Sequence, residues 1–251
     1  MSKPTLIKVG GHEVEDPAFL TAFASTIKRL NSRAVIVHGG GKEISMLQVK
    51  LGIEPRYLDG VRITDAPSLA VVEMVLCGTV NKRLVRYLVA EGVEALGISG
   101  VDRGFISAMK MQHPTVDMGF TGTIVAVRYD VLFDLLERGI TPVIAPICRG
   151  ADSNYNVNAD HVAGAVAVAM GTERVIFLTN VEGVLVNGQL APTLTETAAR
   201  ALIADGTIFG GMIPKVETAL KALSDGVPQA VITNLAGLNA KSGTVFIKEA
   251  K

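Results

Sequence analysis

Cysteine is scarce in this chain of 251 residues. Cys77 and Cys148 lie far apart, and neither has a second Cys or a His at metal-ligand spacing. An excess of charge of either sign is also missing. The 24 Lys+Arg balance 24 Asp+Glu, which argues against nucleic acid as the main partner, because phosphate backbones are held by clustered Lys and Arg. Disorder is excluded, with hydrophobic residues at 49% and charged residues at only 19%. A mean hydropathy of +0.38 invites a membrane reading. However, the longest uncharged stretch of helical character, His161 to Thr172, falls well short of the ~20 residues that span a bilayer. The N-terminal MSKPTLIKVGG has neither an apolar core nor a cleavage site for secretion. No charge block, low-complexity tract, fixed-period repeat or Pro/Ser-rich linker marks a domain boundary, so any division into lobes is expected near Arg149 to Ser153. These absences leave a soluble, cytoplasmic α/β protein, either one large domain or two lobes sharing a sheet.

Strand and helix signals alternate along the chain. Thr5 to Val9 is a β-rich run stopped by Gly10 and Gly11. Asp16-Pro17 reads as the N-cap and first residue of a helix, with Phe19, Leu20, Phe23, Ile27 and Leu30 on one stripe. Ala34 to His38 is a second strand without alternation, as expected where both faces are buried. Gly39, Gly40 and Gly41 break it ahead of a helix from Lys42 to Leu51. A long helix is expected from about Ser68 to Ala90, with Thr64 or Asp65 near its start. Ala95 to Ile98, Thr141 to Ala145 and Arg174 to Thr179 are further strands, and Phe105 to Arg128 has hairpin character. The alternation predicts a mainly parallel sheet covered on both faces.

Glycine marks the candidate site. Ligands of open parallel sheets bind at the carboxyl ends of strands. Three predicted strands end there in Gly10-Gly11, Gly39-Gly40-Gly41 and Ser99-Gly100. Such turns let backbone N–H groups converge on an anion, so three at one sheet edge point to a polyanion. The known polyanion motifs do not account for them. Gly41-Lys42 is followed by Glu43 and lacks the upstream Gly of a Walker A loop. Gly39-x-Gly41 is half a dinucleotide fingerprint, with Ile44 at its third position.

Six segments carry a family resemblance. They are Lys8-Val-Gly-Gly11, His38-Gly-Gly-Gly41, Gly60-Val-Arg-Ile-Thr-Asp65, Val80-Asn-Lys82, Tyr155-Asn-Val-Asn-Ala-Asp160 and Gly210-Gly-Met-Ile-Pro-Lys215. Together they resemble the amino-acid kinase family, and their order and spacing are similar to those of the acetylglutamate kinases. The resemblance implies an αβα sandwich around the sheet, with the whole chain as one kinase domain. Residues 1–150 would form an acyl-amino-acid lobe and residues 151–251 a nucleotide lobe. It also implies ATP with Mg2+ bound to the nucleotide, and no separate metal site.

A carboxylate nucleophile is already ionised at pH 7, so no general base is required. The obstacle is an anion approaching a polyanion, which calls for positioning and positive charge. Lys8, at a strand end among apolar neighbours, and Lys215, beyond a glycine turn, are the candidate charges. A buried ammonium needs a counter-anion, and Asp160 is the candidate. The resemblance makes Asp160 the residue that orients both lysines, with Asn156 and Asn158 on the substrate side. Gly40 and Gly41 would donate N–H groups to reacting oxygens, and Gly10 and Gly11 would face the phosphates. Arg62 is similar to the family's clamp on the substrate's other carboxylate. Thr179, Asn180, Val181, Gly183, Leu185 and Phe209 are expected around the nucleotide. His38 reads as a satisfied core histidine and Cys77 as core rather than nucleophile.

Three other readings compete. Asn180 stands where acetylglutamate kinases usually have Asp; relatives that phosphorylate a carrier-protein-bound aminoadipate often have Asn there, so a kinase for carrier-bound aminoadipate or glutamate is the first alternative. A degenerate module sensing an amino acid or nucleotide would lack Lys8, Lys215 or Asp160, and all three are present. A Rossmann oxidoreductase rests only on the half fingerprint. As for assembly, arginine-inhibited acetylglutamate kinases carry an extra N-terminal helix, whereas only Met1, Ser2, Lys3 and Pro4 precede the first strand here. An arginine-insensitive homodimer, joined through the helix from Ser68 to Ala90, is the resulting expectation.

Overall fold

In the computed structural model, which describes residues 3–11, 13–30 and 33–249, the uninterrupted apolar run Ala34–His38 is a strand with all five side chains buried. Met1 and Ser2, part of the short leading segment discussed above, lie outside the described residues. Residues buried on both faces belong in the middle of a sheet. Ala34–His38 is indeed flanked by Thr5–Val9 and Thr141–Ala145, both parallel to it.

The central sheet has eight strands. From one edge they run Thr193–Thr195, Thr244–Ile247, Gln229–Thr233, Arg174–Leu178, Thr5–Val9, Ala34–His38, Thr141–Ala145 and Ala95–Ser99. All neighbours are parallel except Gln229–Thr233 and Thr244–Ile247. The first strand is central, with Arg174–Leu178 on one side and Ala34–His38 on the other. From it the chain winds outward both ways, which opens a crevice at its carboxyl end.

Two apolar clusters cover the sheet. Ile7, Val9 and Ile36 pack with Leu20 and Phe23 of the helix Pro17–Leu30 and with Val72 and Leu84. Leu6, Val35 and Val37 pack on the opposite face with Val162 and Val166 of Ala159–Ala169 and with Leu220 of Met212–Ser224. Side chains alternate along a strand, so Lys8 shares the face of Leu6 and projects toward Ala159–Ala169. This is the αβα sandwich expected from the sequence.

Local signals explain several boundaries. Asp16 Oδ1 accepts from the Ala18 N–H ahead of Pro17–Leu30, and Asp65 Oδ1 accepts from Ser68 N–H at the start of Ala66–Glu73. The long helix is continuous to Ala90, but its centre, Met74–Val80, is π-helical before Asn81–Ala90 resumes the α form. The predicted hairpin consists of Ile106–Lys110 and Gly122–Val127. It joins Ile147–Arg149 and Asn154–Asn156 in a second sheet of four strands. Residues 149 to 153, where a lobe division was expected, form the tip of that last hairpin.

Candidate active site

Thr5–Val9 ends in Gly10-Gly11, and Ala34–His38 ends in Gly39-Gly40 before the helix Gly41–Lys50. The two turns touch backbone to backbone. A Cβ on Gly11 would sit 3.0 Å from Gly40 N and 3.2 Å from Gly41 N. Glycine is required by that approach rather than by an unusual φ. Ionic ties hold the turns from outside. Lys42 pairs with Glu15 at 2.5 Å, and Arg83 grips Glu43 at 2.6 and 2.8 Å while donating to the Val14 carbonyl at 3.1 Å.

Beside these turns, Lys8 Nζ and Asp160 Oδ1 are 2.8 Å apart, and both side chains are about four-fifths shielded from solvent. Asn158 caps the helix Ala159–Ala169, its Oδ1 accepting from the Asp160 N–H at 2.7 Å. That leaves the Asp160 carboxylate free of capping duty and available to Lys8. Lys215 lies in the first turn of Met212–Ser224 and donates to the Gly211 carbonyl at 3.1 Å. The expected link from Asp160 to both lysines is therefore observed for Lys8, while Lys215 bonds within its own helix.

Two cavities meet at this point. The larger, of 790 Å³, contains Lys8, Gly10, Gly11, Asp160, Thr179, Asn180 and Lys215. The smaller, of 240 Å³, contains Lys8, Gly11, Gly40, Gly41, Arg62, Asn156, Asn158 and Asp160. Lys8, Gly11 and Asp160 belong to both, so a cation, an anion and a bare backbone turn form the shared wall.

Arg62 is buried and its fork is already engaged. It donates to Gln48 Oε1, to the Gly41 carbonyl at 2.9 Å and to Ser45 Oγ at 2.9 Å, with the Tyr57 ring 4.8 Å from its guanidinium carbon. Asn156 Nδ2 donates to Thr64 Oγ1 at 3.0 Å, which ties the smaller cavity to the second sheet. His38 is fully buried, and burial lowers its pKa to about 4. It is a satisfied core histidine, as read from the sequence. Burial raises the Cys77 thiol to about 11, which keeps it protonated at neutral pH.

Of the residues expected around the nucleotide, Thr179 and Asn180 line the larger cavity, whereas Val181, Gly183, Leu185 and Phe209 do not. Gly183 instead packs under Thr244 and Leu190, and Phe209 is 74% exposed. Sequence reasoning missed Phe19, Glu13, Asp16, Asn234 and Leu235, which are among the other residues of that wall. Asn234 had a local signal: it N-caps Leu235–Ala240 by accepting from the Gly237 N–H at 2.8 Å. Phe19 reads from sequence only as part of a core stripe.

Comparison with known proteins agrees with this geometry. The acetylglutamate kinase of Roseiflexus sp. (strain RS-1) is 54% identical over 248 residues, covering 98% of this chain and 95% of that protein. The acetylglutamate kinase of Geobacillus kaustophilus (strain HTA426) is 44% identical over 93% of this chain and 91% of its own. The crystal structure of smu.665 from Streptococcus mutans UA159 superposes with a TM-score of 0.82 at 29% identity, covering 98% of this chain and 99% of that one. The family described as "Amino acid kinase family" matches residues 3–234. A parallel sheet with glycine turns at its carboxyl edge, a lysine–aspartate pair between two cavities and these matches have one reading: the chain belongs to the amino acid kinase family.

Proposed function

We propose that this chain transfers the γ-phosphoryl group of ATP to the side-chain carboxylate of N-acetyl-L-glutamate, giving N-acetylglutamyl 5-phosphate in arginine biosynthesis. The observation that carries the reading is the shared wall of Lys8, Gly11 and Asp160 between a small polar cavity and a larger one. The larger volume falls within the ~300–1,000 Å³ typical of ligand sites, and the smaller suits a compact acid. The acetylglutamate kinase relatives support the choice of acid.

In this reading the acyl amino acid occupies the smaller cavity and the nucleotide the larger. Residues 1–150 supply most of the former and residues 151–251 much of the latter, with Lys8, Gly11 and Asp160 serving both. The carboxylate attacks the γ-phosphorus in line and ADP leaves, with no proton to move at the nucleophile. Negative charge crowds at the transferring group, and the Lys8 ammonium next to Gly11 neutralises it. Asp160 fixes where that ammonium sits. Lys215, which also lines the larger cavity, is assigned to the leaving phosphates, and Gly40 and Gly41 offer N–H groups on the acceptor side. Arg62, Asn156 and Asn158 hold the acid. Thr179 and Asn180 flank the nucleotide, and Val181, Gly183, Leu185 and Phe209, on the segments beyond them, are assigned to the nucleotide's outer side. Mg2+ would arrive bound to the nucleotide phosphates and neutralise part of their charge; among the described residues no cluster of three acidic, His or Cys side chains is placed to hold it without them.

We take the working form to be a cytoplasmic homodimer. The π-interrupted helix offers a surface for it, since Met74 is 62% exposed and Ala70 is exposed beside it. The test of function is to incubate the protein with MgATP, each candidate acid and hydroxylamine, and to measure the hydroxamate of the trapped acyl phosphate. N-acetyl-L-glutamate should support turnover far better than free glutamate, aspartate or carbamate. Comparable turnover with free glutamate would overturn the substrate assignment.

A further inference from the structure

His38 ends its strand with no accessible surface, and both ring nitrogens are matched. Nδ1 lies 2.9 Å from the Gly39 carbonyl oxygen and Nε2 lies 3.1 Å from Asn81 Nδ2. A carbonyl can only accept, so Nδ1 carries the proton and donates. Nε2 is then the lone-pair nitrogen and accepts from the Asn81 amide. Asn81 also donates to the Val143 carbonyl at 2.9 Å, and its Oδ1 accepts from Lys82 Nζ at 3.2 Å. The ring is fixed in one tautomer and one orientation.

Two features make room for this arrangement. A Cβ on Gly97, in the edge strand two removed from that of His38, would overlap Asn81 Oδ1, so the carboxamide occupies the place of an absent side chain. Asn81 directly follows the π-helical stretch, from which Leu76 and Val80 face the glycine turn while Asn81 faces His38. A Cβ on Gly40 would sit 2.8 Å from Leu76 Cδ2 and 3.3 Å from Val80 Cγ2. Apolar contacts thus seat the turn from beneath, and His38 grips its carbonyl.

The consequence lies in the next peptide. The Gly39–Gly40 unit is trans and planar, so its N–H points opposite to its C=O. With the Gly39 oxygen bound to His38, the Gly40 N–H is turned away from the buried ring. Among the described residues no acceptor takes that N–H. Gly40 N is also the backbone atom nearest the Gly11 Cβ position, at the wall shared by the two cavities. We propose that His38, locked by Asn81 and accommodated by Gly97, is a positioning residue that aims the Gly40 N–H at the oxygens of the reacting carboxylate and phosphoryl group. The proposal rests on the reading of the smaller cavity as the acceptor site.

The test combines kinetics with a direct view of the proton. His38→Leu keeps the bulk and removes the donor, while His38→Asn keeps a donor close to the Nδ1 position. For His38→Leu, kcat should fall about 10- to 100-fold, the scale of a misplaced donor, with KM for both substrates within about threefold. His38→Asn should recover most of the loss. Gly97→Ala, which touches neither cavity, should reproduce it. A purely structural role predicts the reverse order, since leucine suits an apolar site better than asparagine, and activity would then follow the melting temperature. Should His38→Leu fail to fold, Gly97→Ala and 15N NMR of the wild-type imidazole carry the test. The neutral ring should be protonated on Nδ1, and a proton on Nε2 would overturn the proposal. Wild-type protein inactive on N-acetyl-L-glutamate would instead fail the substrate reading, and the NMR result would still decide the geometry.

Discussion

Replacing Gly11 with alanine probes the closest approach in the site. The added Cβ would meet Gly40 N at 3.0 Å, Gly41 N at 3.2 Å and Gly40 Cα at 3.3 Å. All three are backbone atoms, so no flexible side chain can swing aside. Ordinary contact distances begin near 3.5 Å, so the two turns must separate by about 0.3–0.5 Å. Misplacement by ~1 Å can cost about 10²-fold, or roughly 2.7 kcal/mol, so about 0.4 Å costs roughly 1 kcal/mol. The expected result is a kcat lower by about 5- to 10-fold with smaller changes in KM, read by hydroxamate formation under saturating MgATP. Gly164→Ala is the control. It lies inside Ala159–Ala169 where a Cβ meets nothing within 4 Å, and it should leave kcat unchanged while raising helix stability by up to ~1 kcal/mol. A Gly11→Ala enzyme with wild-type kcat would show that contact between the turns does not set the reacting geometry.

Three further outcomes follow from the same geometry. Lys8→Ala removes the cation shared by both cavities and should lower kcat by about 10²–10³-fold, with little change in the KM for ATP. An effect confined to KM would reassign Lys8 to ground-state binding. Arg62→Ala should raise the KM for the acyl amino acid by about 10- to 100-fold. Because Arg62 also braces the Gly41 carbonyl, kcat should fall as well, by less than about 10-fold. An unchanged KM would remove Arg62 from the acid's site. The third outcome concerns pH. His38 is held neutral with a pKa lowered to about 4, so the unfolded chain, with a pKa near 6.5, binds the extra proton first. Stability from this group is intact above about pH 6.5 and declines as pH falls toward 4, by about 3 kcal/mol in total. Urea midpoints should trace this limb for wild type and lose it for His38→Asn; parallel curves would contradict it.

Much of the fold was legible because burial on two faces leaves a plain signature. Ala34–His38 and Thr5–Val9 lack polar alternation, and the glycines that stop them mark the carboxyl edge where both cavities open. Lys8 was recognisable as an ammonium among apolar neighbours in need of an anion, and Asp160 supplies it. The π-helical stretch was not legible, because Met74–Val80 carries the same apolar residues as a regular helix and differs only in hydrogen-bond register. The nucleotide side was half legible. Thr179 and Asn180 follow a strand end directly, so their position is dictated locally. Leu185 and Phe209 lie farther along the chain, and their exposure depends on how that segment turns. Phe19 and Asn234 are more than 200 residues apart and meet only because the strand order places Thr5–Val9 two strands from Gln229–Thr233. Spacing along the chain holds no trace of such a meeting.

The central claim is that a substrate carboxylate oxygen attacks the γ-phosphorus at the wall formed by Lys8, Gly11 and Asp160. It is tested most directly by following that oxygen. N-acetyl-L-glutamate carrying 18O in its side-chain carboxylate is incubated with MgATP and hydroxylamine. Hydroxylamine attacks the acyl carbon of the product, so the released phosphate keeps the bridging oxygen. The isotope shift in the 31P spectrum should show one 18O in each phosphate released with hydroxamate. Phosphate containing only 16O would mean that water, not the carboxylate, had taken the phosphoryl group, and the account would fail at its first step.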